Sequence, residues 1–317
     1  MRREIHDMAA TGPIPVIDIA PFRTGTAGGP AVVDAVAAAC RDIGFFVVTG
    51  HGVPEATTRA LYDGARAFFD RPADAKRAVG RTARRPGGVM YAALGAEALA
   101  ATTGVKTPGD VKESLNFGPF LDGDDWPADL AGLHEAFAAY YAAMDDLART
   151  MRAVFCRAIG LPPDHFEPAF VDHLSAVRVI DYPQQKAPPL PGQLRAGAHT
   201  DYGFITILRS EAADGGLQVQ TRSGDWIDAP AVDGAFVINI GDALMRWTND
   251  AWVSTPHRVA NPASGAGSRR QSIPFFLNPR ADTVIDCLPA FRADRPARYP
   301  PITYGDWIAL KTKQAFG

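Results

Sequence analysis

The sequence predicts a mainly β protein with flanking helices and a jelly-roll core. Short apolar segments follow one another from about residue 174 onward, each closed by Gly, Pro, Asp-Gly or Asn-Pro. The first half contains instead long stretches with apolar residues at helical spacing. The chain has 317 residues, of which 47% are hydrophobic and 21% charged. This composition is ordinary for a globular protein with a substantial core.

The N-terminal half is predicted to mix helices with short strands. The strands are rich in β-branched and aromatic residues, and the helices have apolar positions three or four residues apart. In chain order we expect a strand at 15–19, a helix at 28–44, a strand at 44–54, a helix at 54–70 and a helix at 127–160. The last helix is the clearest, because Pro127 begins it and Gly160 and Pro162 end it.

The C-terminal half is predicted to supply the β core. Its strand candidates are SAVRVIDY, FITILR, GLQVQT, AFVINI, ALMRWT, PHRVAN, QSIPFFL and DTVIDC. We therefore expect one domain over residues 1–317. Its parts are a helix-rich region at 1–173 that packs on the core, a jelly-roll core at 174–287 and a helical tail at 288–317.

Charge and cysteine content narrow the class of protein. The net charge is −3 and there is no long basic run, which argues against nucleic acid or an anionic membrane as the partner. The three cysteines are far apart and show no metal-binding spacing, as expected for reduced intracellular thiols. No signal-peptide h-region and no run of about 18 apolar residues is visible, so we expect a cytoplasmic location. The sequence does not predict the oligomeric state.

A histidine and an aspartate stand two residues apart in the segment AGAHTDYGFITIL. In an extended segment the side chains of His199 and Asp201 point to the same face, and Thr200 points away. The segment VSTPHRVANP offers His257 as a third ligand from a later strand. Two imidazoles and one carboxylate leave three positions of an octahedral ion open, as in the facial triad of non-haem Fe(II) oxygenases. A structural metal site would normally be closed.

An arginine and a serine have the same spacing in RQSIPFFLNP. A guanidinium that points inward from a core strand is costly without an anionic partner. The planar fork of Arg270 matches a carboxylate, and the hydroxyl of Ser272 can add a hydrogen bond. A dicarboxylate such as 2-oxoglutarate would chelate the metal at one end and bind here at the other. The alternative is an internal salt bridge to Asp or Glu.

Nine segments follow the order and spacing of a known family and together cover nearly the whole chain. They are PVIDI, GFFVVTGHGVP, KESLNFG, RVIDYP, HTDYGFITIL, GGLQVQ, NIGDALMRWTND, STPHRVANP and RQSIPFFLNP. In these segments the chain resembles the iron- and 2-oxoglutarate-dependent oxygenases of the isopenicillin N synthase-like group. The resemblance implies a double-stranded β-helix core with the iron near one mouth.

The resemblance also implies a reaction and the residues that support it. Such an enzyme uses Fe(II), 2-oxoglutarate and O2 to oxidise an unactivated C–H bond of a small molecule, and it releases succinate and CO2. Hydroxylation is the expected outcome, with desaturation or cyclisation as variants. Matched residue by residue, the iron ligands are His199, Asp201 and His257, and the contacts to the co-substrate carboxylate are Arg270, Ser272 and Tyr182.

The substrate-side element of that family, RGY…GxE, is only partly kept. Tyr91, Gly95 and Glu97 fit this element, whereas Met90 stands at its usual glycine position. Asp181, just before the tyrosine of the YP element, is also unusual for the family. These departures leave the identity of the substrate unpredicted.

Aromatic and basic residues are further candidates for substrate contact. Tyr91, Trp247 and Phe275 are predicted to line the pocket, with Phe276 as the alternative to Phe275, although core packing is the common role of aromatic residues. Three arginines before Tyr91 could contact an acidic substrate or form a solvated basic surface: Arg81, Arg84 and Arg85.

Two other functions are compatible with the same motifs. Isopenicillin N synthase shares the RQS segment but takes its electrons from the substrate, so an oxidase without 2-oxoglutarate is one alternative. A non-catalytic jelly-roll module with a closed metal site is the other. Tight zinc occupancy without substrate-dependent turnover would favour the second alternative.

Overall fold

The computed structural model describes residues 12–79, 91–118, 128–212, 215–263, 269–293 and 295–316. The strands in these ranges are β1 Val16–Asp18, β2 Phe45–Thr49, β3 Tyr91–Ala92, β4 Glu113–Phe117, β5 Ala176–Tyr182, β6 Ala196–His199, β7 Ile205–Ser210, β8 Leu217–Gln220, β9 Trp226–Asp228, β10 Phe236–Ile240, β11 His257–Val259, β12 Arg270–Leu277, β13 Val284–Ile285 and β14 Ile302–Thr303. The helices are α1 Ala20–Arg23, α2 Gly29–Asp42, α3 Glu55–Phe69, α4 Ala73–Ala78, α5 Ala131–Ala158, α6 Asp242–Trp247 and α7 Tyr304–Phe316.

Two β-sheets form the core. The main sheet has eight strands in the order β1-β2-β10-β7-β12-β5-β4-β3, and the minor sheet has four in the order β6-β11-β8-β9. Strand pairs in both sheets are antiparallel except β1–β2. Small apolar clusters join the sheets: Phe45 and Val47 pack with Val219, and Tyr182 packs with Val259. The predicted jelly-roll core is confirmed.

The main sheet has one face toward the helices and one toward the minor sheet. On β5 and β12, Val177 and Phe275 belong to the large apolar cluster that also contains residues of α2, α3 and α5. Side chains alternate along a strand. Tyr182 and its cross-strand neighbour Arg270 therefore face the minor sheet, as does Ser272. The residues between the two sheets are the ones that a site in the jelly roll can use.

The N-terminal region supplies strands as well as helices. Strands β1, β2, β3 and β4 all belong to the main sheet, at its two edges. Residues 1–173 therefore contribute half of this sheet's strands in addition to the helices that cover it. The division at residue 173, expected from the change in sequence texture, does not coincide with the edge of the sheet.

One predicted strand is wrong. ALMRWT forms helix α6, which begins directly after Gly241. The buried residues Ala243 and Leu244 lie four and three positions before the buried Trp247, which is a helical period. Gly241 packs so closely that a Cβ there would lie 2.2 Å from the carbonyl oxygen of Gly203. This close approach fixes the turn that starts the helix.

The described chain shows two further general features. All three cysteines are buried and free, in agreement with the prediction of reduced thiols. No helix in the described part of the chain combines the length and apolar character that a bilayer crossing needs.

The aromatic cluster around Phe204, just after the metal-binding segment, should contribute strongly to the free energy of unfolding. Phe204 is fully buried and its ring lies 5.0–6.1 Å, between centroids, from four others: Phe155, Phe166, Phe170 and Trp247. Because Phe204→Ala leaves a cavity among rigid rings, we expect it to lower the free energy of unfolding by about 3–5 kcal/mol. Urea unfolding followed by circular dichroism measures this loss. Val284→Ala, at an exposed site, is the control, and an equal loss in both variants would contradict the expectation.

Candidate metal centre and anion pocket

Three donor side chains converge between the two sheets. His199 ends β6 and pairs with His257, the first residue of β11. Asp201 lies two residues beyond the end of β6, in the loop that leads to β7. The Nε2 atoms of His199 and His257 lie 3.9 and 3.8 Å from the Asp201 carboxylate. The ligand atoms of the three residues all lie within 4.8 Å of one another.

Backbone carbonyl groups orient both imidazole rings. Nδ1 of His199 lies 2.7 Å from the Gly197 carbonyl oxygen, and Nδ1 of His257 lies 3.1 Å from that of Thr255. Because a carbonyl oxygen can only accept, each Nδ1 carries the proton and each Nε2 turns a lone pair to the centre. Burial and then the neighbouring His257 lower the pKa of His199 to about 3. The ring is therefore neutral, as a metal ligand must be.

The main sheet holds the carboxylate of Asp201. Its Oδ2 accepts a hydrogen bond from Thr206 Oγ1 at 2.5 Å and one from Asn239 Nδ2 at 2.8 Å. Burial opposes ionisation of Asp201, but the two histidines and these hydrogen bonds together lower its pKa. Thr206 and Asn239 stand opposite each other on β7 and β10. Sequence reasoning missed both, although Thr206 is the polar member of the apolar run after Asp201.

Loss of one of these hydrogen bonds should weaken metal binding. We expect Thr206→Val to lower the affinity for Mn(II) by about 10–100-fold, because the carboxylate loses the donor that fixes its orientation. Calorimetric titration with Mn(II) measures the affinity. Thr200→Val is the matched control, since the Thr200 hydroxyl donates to Asp242 instead. Unchanged affinity in Thr206→Val would show that the hydrogen bond does not position Asp201.

A buried guanidinium forms the second part of the site. Arg270 is 4% exposed, and its guanidinium carbon lies 5.3 Å from the centroid of the Tyr182 ring. Its amino groups donate to the Gly215 carbonyl oxygen and to Ser210 Oγ. Its Nε is buried without a hydrogen-bond partner, and no carboxylate in the described ranges forms a salt bridge with it. The alternative of an internal salt bridge is therefore not supported within those ranges.

A second guanidinium lies beside the first. Arg195 has no exposed surface, donates to the same Gly215 carbonyl oxygen at 3.3 Å, and lies 5.9 Å from the Tyr182 ring. Burial and the charge of Arg270 lower the pKa of Arg195. Sequence reasoning missed this residue, although an arginine four positions before His199 in a strand-like segment was a usable signal. The two guanidiniums make this pocket suited to an anion.

The comparisons with known proteins agree with this geometry. Residues 172–279 match the 2OG-Fe(II) oxygenase superfamily, and residues 14–135 match the family described as "non-haem dioxygenase in morphine synthesis N-terminal". The 2-oxoglutarate-Fe(II) type oxidoreductase hxnY of Emericella nidulans is 33% identical, over 98% of this chain and 92% of its own. The chain belongs to the 2OG-Fe(II) oxygenase superfamily.

Two further relatives show the range of the superfamily. Homoarginine-6-hydroxylase 2-ODD-C23 of Glycine max is 31% identical, over 96% of this chain and 97% of its own. The crystal structure of a full-length Neurospora crassa protein in complex with alpha-KG and thymine superposes with a TM-score of 0.81 and 29% identity, over 95% and 96% of the two chains. The predicted enzyme class and the cofactors Fe(II), 2-oxoglutarate and O2 are confirmed, as is oxidation of a small molecule.

Tyr91, expected beside the substrate, lies on the helix-covered face of the oxygenase sheet. Its cross-strand partner Leu115 belongs to the large apolar cluster, so both side chains point to that face. The Tyr91 hydroxyl donates to Glu113 at 2.5 Å, and its ring lies 5.6 Å from that of Phe68. This placement corrects the sequence expectation for Tyr91. The preceding residues Met90, Arg81, Arg84 and Arg85 lie outside the described ranges.

Trp247 and Phe275 are also placed away from the space between the sheets. Trp247 is buried against the rings of Phe166 and Phe204. Phe275 is fully buried and meets Tyr141 of α5 edge-on at 5.4 Å. Because side chains alternate, Phe276 and not Phe275 shares the face of Arg270 and Ser272. Neither Trp247 nor Phe275 is retained as a substrate contact.

Proposed function

We propose that His199, Asp201 and His257 hold Fe(II), and that Arg270 and Ser272 bind the distal carboxylate of 2-oxoglutarate. We further propose that the enzyme hydroxylates a C–H bond of a small molecule and belongs to the isopenicillin N synthase-like group. Three donor atoms converge between the sheets, and the buried Arg270 guanidinium on the face of the main sheet that looks into the same space has no carboxylate partner among the described residues; this is the observation that carries the proposal. The cytoplasmic location and the domain division remain predictions.

The residues fit the iron that the family uses. Two neutral imidazoles and one carboxylate are the donor set typical of non-haem Fe(II), and three donors would leave three positions of an octahedral ion open. Positions for a chelating 2-oxo acid and for dioxygen therefore remain. Bound Fe(II), with 2-oxoglutarate as electron donor and O2 as oxidant, would supply the oxidising chemistry that the protein's own side chains lack.

The protein's residues position the co-substrate. The fork of Arg270 can donate two parallel hydrogen bonds to a carboxylate, and Ser272, two residues along β12, can add a third. Tyr182 stands opposite Arg270 on β5, which supports its predicted role at the same carboxylate. Arg195 adds a positive charge to this end of the pocket. These contacts orient the opposite end of 2-oxoglutarate toward the metal ligands.

The 2-oxoglutarate-dependent reaction is favoured over both alternatives. The relative hxnY is named as a 2-oxoglutarate-Fe(II) type oxidoreductase and the Neurospora crassa protein was solved with alpha-KG, whereas an oxidase that draws its electrons from substrate would not need the anion pocket. A non-catalytic module with a closed metal site does not fit the family, and a closed structural site usually has four protein ligands where the described residues bring three together.

An anaerobic titration tests the proposal. Fe(II) and then 2-oxoglutarate are added to the apo protein while the visible spectrum is recorded. We expect a weak charge-transfer band on addition of 2-oxoglutarate in the wild type, and a band only at much higher concentrations in Arg270→Gln. A wild-type protein that binds Fe(II) but gives no band would overturn 2-oxoglutarate chelation at this site.

A further inference from the structure

A buried carboxylate holds one of the backbone groups that orient the metal-binding histidines. Gly197 lies in β6, two residues before His199, and its carbonyl oxygen accepts from Nδ1 of that ring at 2.7 Å. The N–H of Gly197 donates at 3.0 Å to Oδ1 of Asp110, a residue 87 positions earlier in the chain. Asp110 is 1% exposed. It has no role in the proposed function.

The contact with Asp110 falls where the pairing of β6 is irregular. β6 stands at one end of the minor sheet, with β11 as its neighbour. Between the two cross-strand pairs that join these strands, β6 contains two residues, Gly197 and Ala198, and β11 contains only Arg258. This is a β-bulge, which leaves a residue without its ladder partner. Gly197 lies in the bulge, and the Asp110 carboxylate supplies an acceptor for its N–H.

The second oxygen of the same carboxylate binds a neighbouring element. Oδ2 of Asp110 accepts at 3.1 Å from the N–H of Leu99, where the 3-10 helix Leu99–Thr103 begins. This helix packs directly on β6, because a Cβ at Gly197 would lie 2.6 Å from the backbone nitrogen of Ala100. The close contact limits movement of Gly197 toward the helix, and the shared carboxylate limits its movement away from the helix.

A charged group holds Asp110 in place. Nζ of Lys112 lies 3.6 Å from Oδ2 of Asp110 and donates at 2.9 Å to Glu97, which also accepts from Arg178 Nη1 at 3.2 Å. The N–H of Asp110 donates to the Glu97 carbonyl oxygen at 2.7 Å. Burial raises the pKa of Asp110, whereas Lys112 and the two backbone N–H donors oppose this rise. Lys112 of the KE element and Glu97 of the GxE element therefore meet at Asp110, beside the metal-binding strand.

We propose that Asp110 is a positioning residue for the metal centre, and that it acts on His199 through the backbone of Gly197. The proposal rests on the proposed function, because it assumes that His199 binds the metal. An imidazole ring needs a fixed acceptor at Nδ1 if its Nε2 lone pair is to point at the ion. A glycine backbone is conformationally permissive, so the Gly197 carbonyl is a fixed acceptor only while other contacts restrain that residue. Asp110 supplies the restraint.

Calorimetric titration of two variants with Mn(II) tests the proposal without turnover. The full-length, metal-free wild type is compared with Asp110→Ala and Asp110→Asn. We expect Asp110→Ala to lower the affinity for Mn(II) by about tenfold, the lower end of the effect of losing a direct hydrogen-bond partner of a ligand. Asp110→Asn has one carbonyl oxygen for two N–H donors and should lower the affinity by about threefold. Unchanged affinity in either variant would overturn the proposal.

A second buried carboxylate of the same element provides the matched control. Glu113 is 9% exposed and accepts from Lys76 Nζ at 2.7 and 2.9 Å. It lies on the helix-covered face of the main sheet, two residues before Leu115 of the large apolar cluster. Glu113→Gln should lower the thermal unfolding temperature and leave the affinity for Mn(II) unchanged. If Glu113→Gln weakens Mn(II) binding as much as Asp110→Ala does, the effect is a general loss of stability and the proposal fails.

The spectrum with Fe(II) and 2-oxoglutarate separates this proposal from the proposed function. At saturating Fe(II), Asp110→Asn should give the wild-type charge-transfer band, since Asp110 affects only the affinity for the metal. If the band is lost only in Asp110→Asn, the residue supports the fold or the co-substrate site and the proposal fails. If the wild type binds Fe(II) but gives no band, the proposed use of 2-oxoglutarate fails, and the Mn(II) titrations still decide the role of Asp110. A wild type that binds neither metal would overturn both.

Discussion

Asp201→Ala is expected to abolish turnover. The substitution removes the only carboxylate among the three converging ligands and leaves Thr206 and Asn239 without their acceptor. A bound metal contributes several kcal/mol to transition-state stabilisation, so its loss corresponds to a decrease in rate of about a thousandfold or more. Succinate formation from 2-oxoglutarate, measured together with iron content, tests the expectation.

Two controls separate loss of the metal from loss of the fold. Thermal unfolding of the metal-free proteins should show that Asp201→Ala keeps a cooperative transition. Asp201→Glu restores the carboxylate and should recover part of the iron content, although its longer side chain cannot keep both hydrogen bonds to Oδ2. Wild-type turnover in folded Asp201→Ala would rule out Asp201 as an essential ligand.

Arg270→Gln is expected to raise the KM for 2-oxoglutarate and to leave kcat nearly unchanged. Removal of one partner of a buried charge pair costs about 2–5 kcal/mol, a factor of roughly 30 to several thousand in affinity. The guanidinium contacts the end of 2-oxoglutarate that does not react, so the lost interaction affects ground state and transition state equally. Steady-state kinetics over a wide range of 2-oxoglutarate concentrations measures both constants.

Two further variants, Ser272→Ala and Arg258→Gln, give KM values for 2-oxoglutarate with which that of Arg270→Gln can be compared. The serine contributes one hydrogen bond, so Ser272→Ala should cost about 1 kcal/mol, or roughly fivefold in KM. Arg258→Gln, outside the pocket, should match the wild type. A fall in kcat at an unchanged KM in Arg270→Gln would place Arg270 outside the co-substrate site.

The metal site could be found from the sequence because it depends on local spacing. His199 and Asp201 are two positions apart, and His257 needs only one strand pairing to join them. The buried Arg270 could be found for the same reason, since a guanidinium in an apolar strand needs an anionic partner. Asp201 lies beyond the end of its strand, but the carboxylate still faces the histidines because the main sheet holds it there.

The side chains that face the space between the sheets could not all be found in this way. Successive side chains of β12 point to opposite faces of the sheet, but the sequence does not say which face the helices cover. Phe275 and Phe276 are therefore equivalent until the fold is known, and only the contact with Tyr141 distinguishes them. The pair formed by Glu97 and Arg178 joins positions 81 residues apart, a contact that no local pattern encodes.

The ligands of the proposed iron site come from different layers of the protein. The two histidines belong to the minor sheet, whereas the hydrogen bonds that hold Asp201 come from β7 and β10 of the main sheet. A bound ion would therefore crosslink the two sheets. The sheets could separate during unfolding only after the ion had dissociated. Free metal at a hundred times its Kd would then add about 2.7 kcal/mol to the free energy of unfolding. In such a protein, resistance to unfolding would report the supply of iron.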